Sequence, residues 1–337
     1  MDGYPPLTPH RSGMLDVGDG NRIYWQVSGN PDGKPAIVLH GGPGSGSSPS
    51  VGRYFNPALY RIVQFDQRCC GLSTPDAADP ATDLSTNTTA HHITDIELLR
   101  QHLDIDSWLV FGGSWGSILG LCYAQEHPGH VDQIVMVSVV TGTAREIEWV
   151  TRDMGRIFPA EWERFIALVP EDERDGNLAA AYARLLAAPD PALRERAAQA
   201  WCDWEDTHVS THPGHSPDPR YRDPVFRMRF ARLVTHNWAN HSFLPDNAIL
   251  DRIDRLAAIP AVLVNGKLDV SGPPDAAWRL AQRWPDAELI LIDEAGHGTG
   301  HTTSRKALTD ALDRFAAAPS PRKPPAEKSS ENSPCSQ

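Results

Sequence analysis

Short apolar runs, each ending at a glycine or a charged loop, recur along the chain with helical patterns between them, and this alternation most narrows its fold. The runs are Ala36 to Leu39, Arg61 to Phe65, Trp108 to Phe111, Ile134 to Val139, Ala261 to Val264 and Leu289 to Ile292. A strand covered on both faces needs apolar residues at successive positions rather than at every second one, and these segments read that way. Thr94 to Leu103, Ser117 to His127 and Pro274 to Trp284 carry helical spacing instead. Strand and helix in turn predict an α/β chain with a mostly parallel sheet and helices on both faces. Ahead of the first run, Met14 to Val17 and Arg22 to Val27 flank Gly18-Asp19-Gly20 and read as a hairpin.

The alternation stops between about Thr143 and Asp246, where Ala160 to Leu168, Leu178 to Ala188 and Ala192 to Trp204 have helical spacing and five of the ten tryptophans (149, 162, 201, 204 and 238) fall. The strand pattern then resumes, so a helical cap over 143–246 is expected to interrupt one core formed by 1–142 and 247–316. From about Ala317 the chain is rich in Pro, Ser, Lys and Glu, and a disordered tail is expected over 317–337. Thirty-one Lys and Arg against 43 Asp and Glu leave a net charge of -12, which opposes a broad electrostatic hold on nucleic acid or an anionic membrane. Met1 to Met14 is polar, without the apolar centre of a signal peptide, and no stretch approaches a membrane span of roughly 18 apolar residues. Five cysteines (Cys69, Cys70, Cys122, Cys202 and Cys335) form an odd set without a CxxC pair, which argues against a disulfide framework. A cytoplasmic location is expected.

The apolar strand Trp108 to Phe111 runs into Gly112-Gly113-Ser114-Trp115-Gly116, with a helical pattern starting at Ser117. Strand, GxSxG and helix in that order form the elbow that exposes a nucleophilic serine hydroxyl on a sharp turn. The partners of such a serine follow as acid and then histidine, each in a loop after a later strand. Asp269 lies past Ala261 to Val264, and His297 lies past Leu289 to Ile292. Asp293 or Glu294 for the acid, and His301 for the base, are the rivals; the first two sit close to their strand end. An oxyanion hole needs two backbone N–H groups: Trp115 supplies one, and the loop His40-Gly41-Gly42-Pro43-Gly44 can supply the other through Gly42. An acyl-enzyme at one serine needs no metal or organic cofactor, only water as second substrate. His208, His212 and His215 are spaced like metal ligands, but among prolines and glycine with no helix face to fix them, so no metal site is expected. Cys69-Cys70 reads as packing in a tight loop rather than as a redox pair.

Together, His40-Gly41-Gly42-Pro43-Gly44, Asp66-Gln67-Arg68 with Gly71 and Ser73, Gly112 to Ser117, and the Asp269 and His297 loops make residues 1 to 316 resemble the prolyl aminopeptidase (proline iminopeptidase) group of α/β-hydrolases. The resemblance implies an α/β-hydrolase fold with a helical cap, release of an N-terminal proline or similar residue from small peptides or amides, and a structural role for the Asp-Gln-Arg loop. It also implies that Glu205, in Trp201-Cys202-Asp203-Trp204-Glu205, holds the substrate ammonium. A second acid of that group belongs where this chain has Val234, in Ala231-Arg232-Leu233-Val234-Thr235-His236. Cys69 stands in place of the group's glycine, and Val137 to Val140 in place of an arginine and aromatic pattern. Two other readings therefore stay open: an esterase or amidase for a specialised small molecule, and a non-catalytic ligand-binding protein on the same fold.

Overall fold

Strands β1 (Arg11–Asp16), β2 (Arg22–Gly29), β3 (Lys34–Leu39), β4 (Tyr60–Phe65), β5 (Trp108–Ser114), β6 (Val131–Val139), β7 (Ala261–Gly266) and β8 (Ala287–Ile292) form one sheet in the order β1-β2-β4-β3-β5-β6-β7-β8. The pairs β1–β2 and β2–β4 are antiparallel and the rest parallel. The structure is a computed structural model that describes residues 3–209, 211 and 216–318. His212, His215 and nearly all of the tail expected over 317–337 lie outside the described residues.

The central strands carry apolar residues at consecutive positions because alternate residues enter opposite cores. Along β5, Trp108 and Val110 enter one core while Leu109 and Phe111 enter the other; Ile134 and Met136 against Val135 and Val137 do the same along β6. The first core is closed by helices α1 (Thr89–His102) and α2 (Trp115–Glu126). The second is closed by Leu308, Leu312 and Phe315 of the C-terminal helix and by Tyr54 and Phe55. Each such aliphatic side chain contributes about 1.5–3 kcal/mol by leaving water. Helix α1 begins five residues ahead of the expected Thr94 because the Thr88 side chain accepts from the His91 N–H and caps it.

Between β6 and β7 lie α3 (Ala144–Thr151), α4 (Pro159–Ile166), α5 (Leu178–Leu186), α6 (Pro191–Val209) and α7 (Pro224–Ala239). They pack around an apolar cluster of their own, in which Phe165 stacks on Tyr182 at 4.6 Å and on Trp204 at 5.4 Å between ring centroids, and Trp201 meets Tyr182 edge-on at 5.1 Å. Most of the tryptophans on these helices thus serve packing. After these helices come α8 (Ala248–Asp251), α9 (Asp275–Arg283) and α10 (Thr302–Ala317). Among the described residues, no helix is long and apolar enough to cross a membrane.

Candidate active site

Ser114 ends β5 and caps α2 with φ 54° and ψ -125°, a left-handed conformation that a serine adopts only when its surroundings over-determine it. The motif glycines make the bend possible. A Cβ on Gly112 would lie 2.4 Å from the Gly116 carbonyl oxygen, and one on Gly116 would lie 2.1 Å from that of Leu39, at the end of β3. The Ser117 hydroxyl donates to the Ser114 carbonyl at 2.6 Å and accepts the Val140 N–H at 3.0 Å, tying the elbow to the end of β6.

Asp269 and His297, 28 residues apart in sequence, come together at the C-terminal end of the sheet. The His297 Nδ1 lies 2.9 Å and 3.0 Å from the two Asp269 carboxylate oxygens, and the Gly272 N–H donates to Oδ1 at 2.7 Å. Burial by itself disfavours the imidazolium. The charge and hydrogen bond of Asp269, with the charge of Glu205, outweigh it and hold the His297 pKa above its ordinary 6.5. The rivals stand elsewhere: Asp293 is exposed and paired with Lys267, Glu294 is exposed, and His301 caps α10 through the Thr303 N–H. Ser138, at φ 49° in β6, accepts the Gly298 N–H at 2.7 Å and fastens the His297 loop to the sheet.

The Asp-Gln-Arg loop braces the glycine loop and the elbow at once. The Gln67 side chain donates to the His40 carbonyl at 3.0 Å and accepts the Trp115 indole N–H at 2.9 Å. The Gln67 backbone N–H donates to His40 Nε2 at 3.1 Å, so Nδ1 carries the proton and donates to the Gly41 carbonyl at 2.9 Å. Burial lowers the His40 pKa against the opposing charge of Asp66, which keeps this neutral tautomer. Arg68, fully buried, forms a bidentate pair with Asp95 at 2.7 and 2.8 Å and anchors the loop from below. Cys69 adopts φ 64°, which accounts for the glycine of the resembled group; the cost of a Cβ there is about 1–2 kcal/mol. Burial pushes its thiol up to about 11 and that of Cys70 upward too, so neither supplies a thiolate near neutral pH.

Two cavities meet at Gly42, Ser114, Glu205 and His297, an inner one of about 50 Å³ and an outer one of about 420 Å³. Ile118, Val140, Ile147, Val150 and Trp238 give the inner one apolar walls, and Trp115 also lines it. Glu205 reaches it from α6, only 9% exposed, with Oε2 lacking a hydrogen-bond donor and facing His208 Nε2 at 3.5 Å. His208 Nδ1 in turn lies 2.9 Å from the Ser271 hydroxyl, two residues from Asp269. Val234 lines neither cavity. It is fully buried in the apolar cluster that α3 to α7 share, and Trp238, one turn later on α7, faces the inner cavity instead. The sequence reading passed over Glu146, Trp238, Ser242 and Ser271, all on the inner wall. Only Glu146 carried a local signal, because Thr143-Ala144-Arg145-Glu146 is a capping-box pattern.

Comparison with known proteins extends these observations. The model for the alpha/beta hydrolase fold matches residues 34–302. A probable proline iminopeptidase of Streptomyces coelicolor is 54% identical over 320 residues, 94% of this chain and 98% of that protein. The proline iminopeptidase of Arabidopsis thaliana is 41% identical over 316 residues, covering 93% and 82% of the two chains. Among solved structures, a proline iminopeptidase from Mycobacterium smegmatis superposes with a TM-score of 0.63 at 21% identity over 91% and 99% of the two chains. An esterase from Exiguobacterium antarcticum superposes at 0.55 with 16% identity over 91% and 100%, so the shared fold does not select a substrate. With close relatives spanning nearly its whole length and the glycine loop, elbow and Asp269–His297 pair all at the end of the sheet, the chain belongs to the proline iminopeptidase family of α/β-hydrolases.

Proposed function

We propose that this chain is a serine hydrolase that releases an N-terminal proline from short peptides or amides, with 143–246 forming the cap over its site and the cytoplasm as its location. The observation that carries the reading is the Glu205 side chain, nine-tenths buried, on the wall of the cavity that Ser114 and His297 also line. A carboxylate in that state attracts an ammonium group, and a free N-terminal residue presents one beside its scissile carbonyl.

In this reading Ser114 Oγ attacks the carbonyl as His297 Nε2 takes its proton, Nδ1 being held by Asp269. The N–H groups of Gly42 and Trp115 receive the oxyanion. The C–N bond then breaks, the leaving amine takes the proton from His297, and the acyl group stays on Ser114. Water, deprotonated by the same imidazole, cleaves the ester and restores the serine. The apolar inner walls suit a pyrrolidine ring and the outer cavity the rest of the peptide. The test is Ser114→Ala: the folded variant is expected to lose both fluorophosphonate labelling and cleavage of proline naphthylamide, and retained hydrolysis overturns the assignment. A specialised esterase or amidase is the second reading, which the names of the relatives do not favour and for which the one observation is Val234 in the apolar cluster, where the resembled group has an acid. A short acyl ester cleaved in preference to proline naphthylamide would select it.

A further inference from the structure

His208, the first of the three spaced histidines, lies fully buried on α6, three residues after Glu205. Its ring packs edge-on against Trp204 at 5.7 Å between centroids. Nδ1 lies 2.9 Å from the Ser271 hydroxyl, and Nε2 lies 3.5 Å from Glu205 Oε2. A nitrogen lone pair aimed at a carboxylate oxygen is repelled and an N–H is attracted, so Nε2 carries a hydrogen in either charge state of the ring. In the neutral ring Nδ1 then accepts the Ser271 hydroxyl.

The separation of 3.5 Å is longer than a fully formed hydrogen bond. Yet Oε2 and Nε2 are both closed to solvent, and among the described residues neither has another partner, so nothing else offsets their burial. Ser271 is itself held on both sides. The carbonyl of Val270 before it accepts the Trp149 indole N–H from α3 at 2.7 Å, and the N–H of Gly272 after it donates to Asp269 at 2.7 Å. His208 thus ties the Glu205 carboxylate to the segment that carries Asp269.

We propose that His208 is a positioning residue for Glu205: its Nε2–H holds Oε2 and leaves Oε1 to the cavity in one orientation. His208 lines neither cavity, so it acts through Glu205 rather than on a ligand. A side chain fixed before the ligand arrives lowers the ordering cost of binding. The proposal rests on the aminopeptidase reading above and deepens it, since the carboxylate so fixed is the one assigned to the substrate ammonium. Its rival is plain packing of a buried ring against Trp204.

The experiment measures kcat and KM for proline naphthylamide and for a short acyl ester on the pH plateau, and the Ki of pyrrolidine, a cyclic secondary ammonium, against ester hydrolysis. His208→Phe keeps a ring against Trp204 and removes both nitrogens. It is expected to raise the proline naphthylamide KM and the pyrrolidine Ki about 10-fold, the scale of a hydrogen bond to a charged group, and to change ester kcat/KM by less than about 2-fold. His208→Gln, whose amide N–H replaces that of Nε2, is expected to restore most of both. Ser271→Ala, which releases Nδ1 alone, is expected to raise the Ki by a smaller factor, and it carries the test if the phenylalanine variant fails to fold. In a Glu205→Gln protein either change is expected to leave the Ki where Glu205→Gln alone puts it, because residues that act as a unit are not additive. Equal losses on amide and ester, an unchanged Ki, or an effect on Ki undiminished in the Glu205→Gln protein overturns the proposal. Wild-type protein that leaves proline naphthylamide uncut removes the aminopeptidase reading instead, and the pyrrolidine comparison across the single and double variants still decides the role of His208.

Discussion

Replacing Gln67 with leucine tests whether the Asp-Gln-Arg loop sets the geometry of the proposed oxyanion donors, Gly42 and Trp115. The two side chains are of similar volume, so the change is mainly one of hydrogen bonding. It leaves the Trp115 indole N–H and the His40 carbonyl without their partners, at 2.9 Å and 3.0 Å respectively, in places closed to water. Each buried group so orphaned costs about 1–3 kcal/mol, and leucine recovers a small part through its apolar surface, giving a loss of about 3 kcal/mol. The backbone bond from Gln67 to His40 Nε2 survives, so the loop stays attached but loses the link to the elbow. Because Gly42 and Trp115 lie on the two segments that Gln67 joins, kcat should fall for amide and ester alike, by 10-fold or more, with smaller changes in KM. Urea unfolding monitored by tryptophan fluorescence, together with kcat on proline naphthylamide and a short acyl ester, reads both effects. A folded Gln67→Leu protein within about 0.5 kcal/mol of wild type and with unchanged kcat refutes the argument, since that is the range of a neutral surface substitution.

Glu205→Gln should shift the acid limb of the kcat/KM profile on a neutral ester to lower pH, because the Glu205 charge is among the groups holding the His297 pKa up and the proposed reaction needs the neutral imidazole. The same variant should lose about 10-fold or more on free-amine substrates relative to esters, and an unmoved limb would place Glu205 outside electrostatic reach of His297. Gly116→Ala places a Cβ 2.1 Å from the Leu39 carbonyl oxygen; backbone must move, and a loss of roughly 3 kcal/mol in stability by urea titration is expected. That displacement should also cost about 100-fold in kcat, as misplacing a reacting group by about 1 Å does, and a fully active Gly116→Ala protein would contradict the close approach.

Local chemistry in the sequence determined the elements and their class. The runs at 36–39, 108–111, 134–137 and 261–264 are apolar at consecutive positions because both faces of those strands enter cores, and that pattern needs no partner to be recognised. The elbow was legible for the same reason: Gly112 and Gly116 are required by contacts within a few residues and with the strand ahead of it. Asp269 and His297 could be located because loops at the ends of successive parallel strands converge on one edge of the sheet. What faces the inner cavity from the helices between β6 and β7 was not legible. On α7, Val234 and Trp238 are one turn apart and both read as apolar helix positions, yet Val234 packs inward among the cap helices and Trp238 toward the serine. Which of them does so depends on how α7 is rotated against α5 and α6, a quantity set by side-chain packing between helices far apart in sequence. Glu146 shows the same division: its capping box is written in four consecutive residues, while its place on the wall of the cavity that Glu205 also lines exists only once α3 and α6 are folded over the end of the sheet.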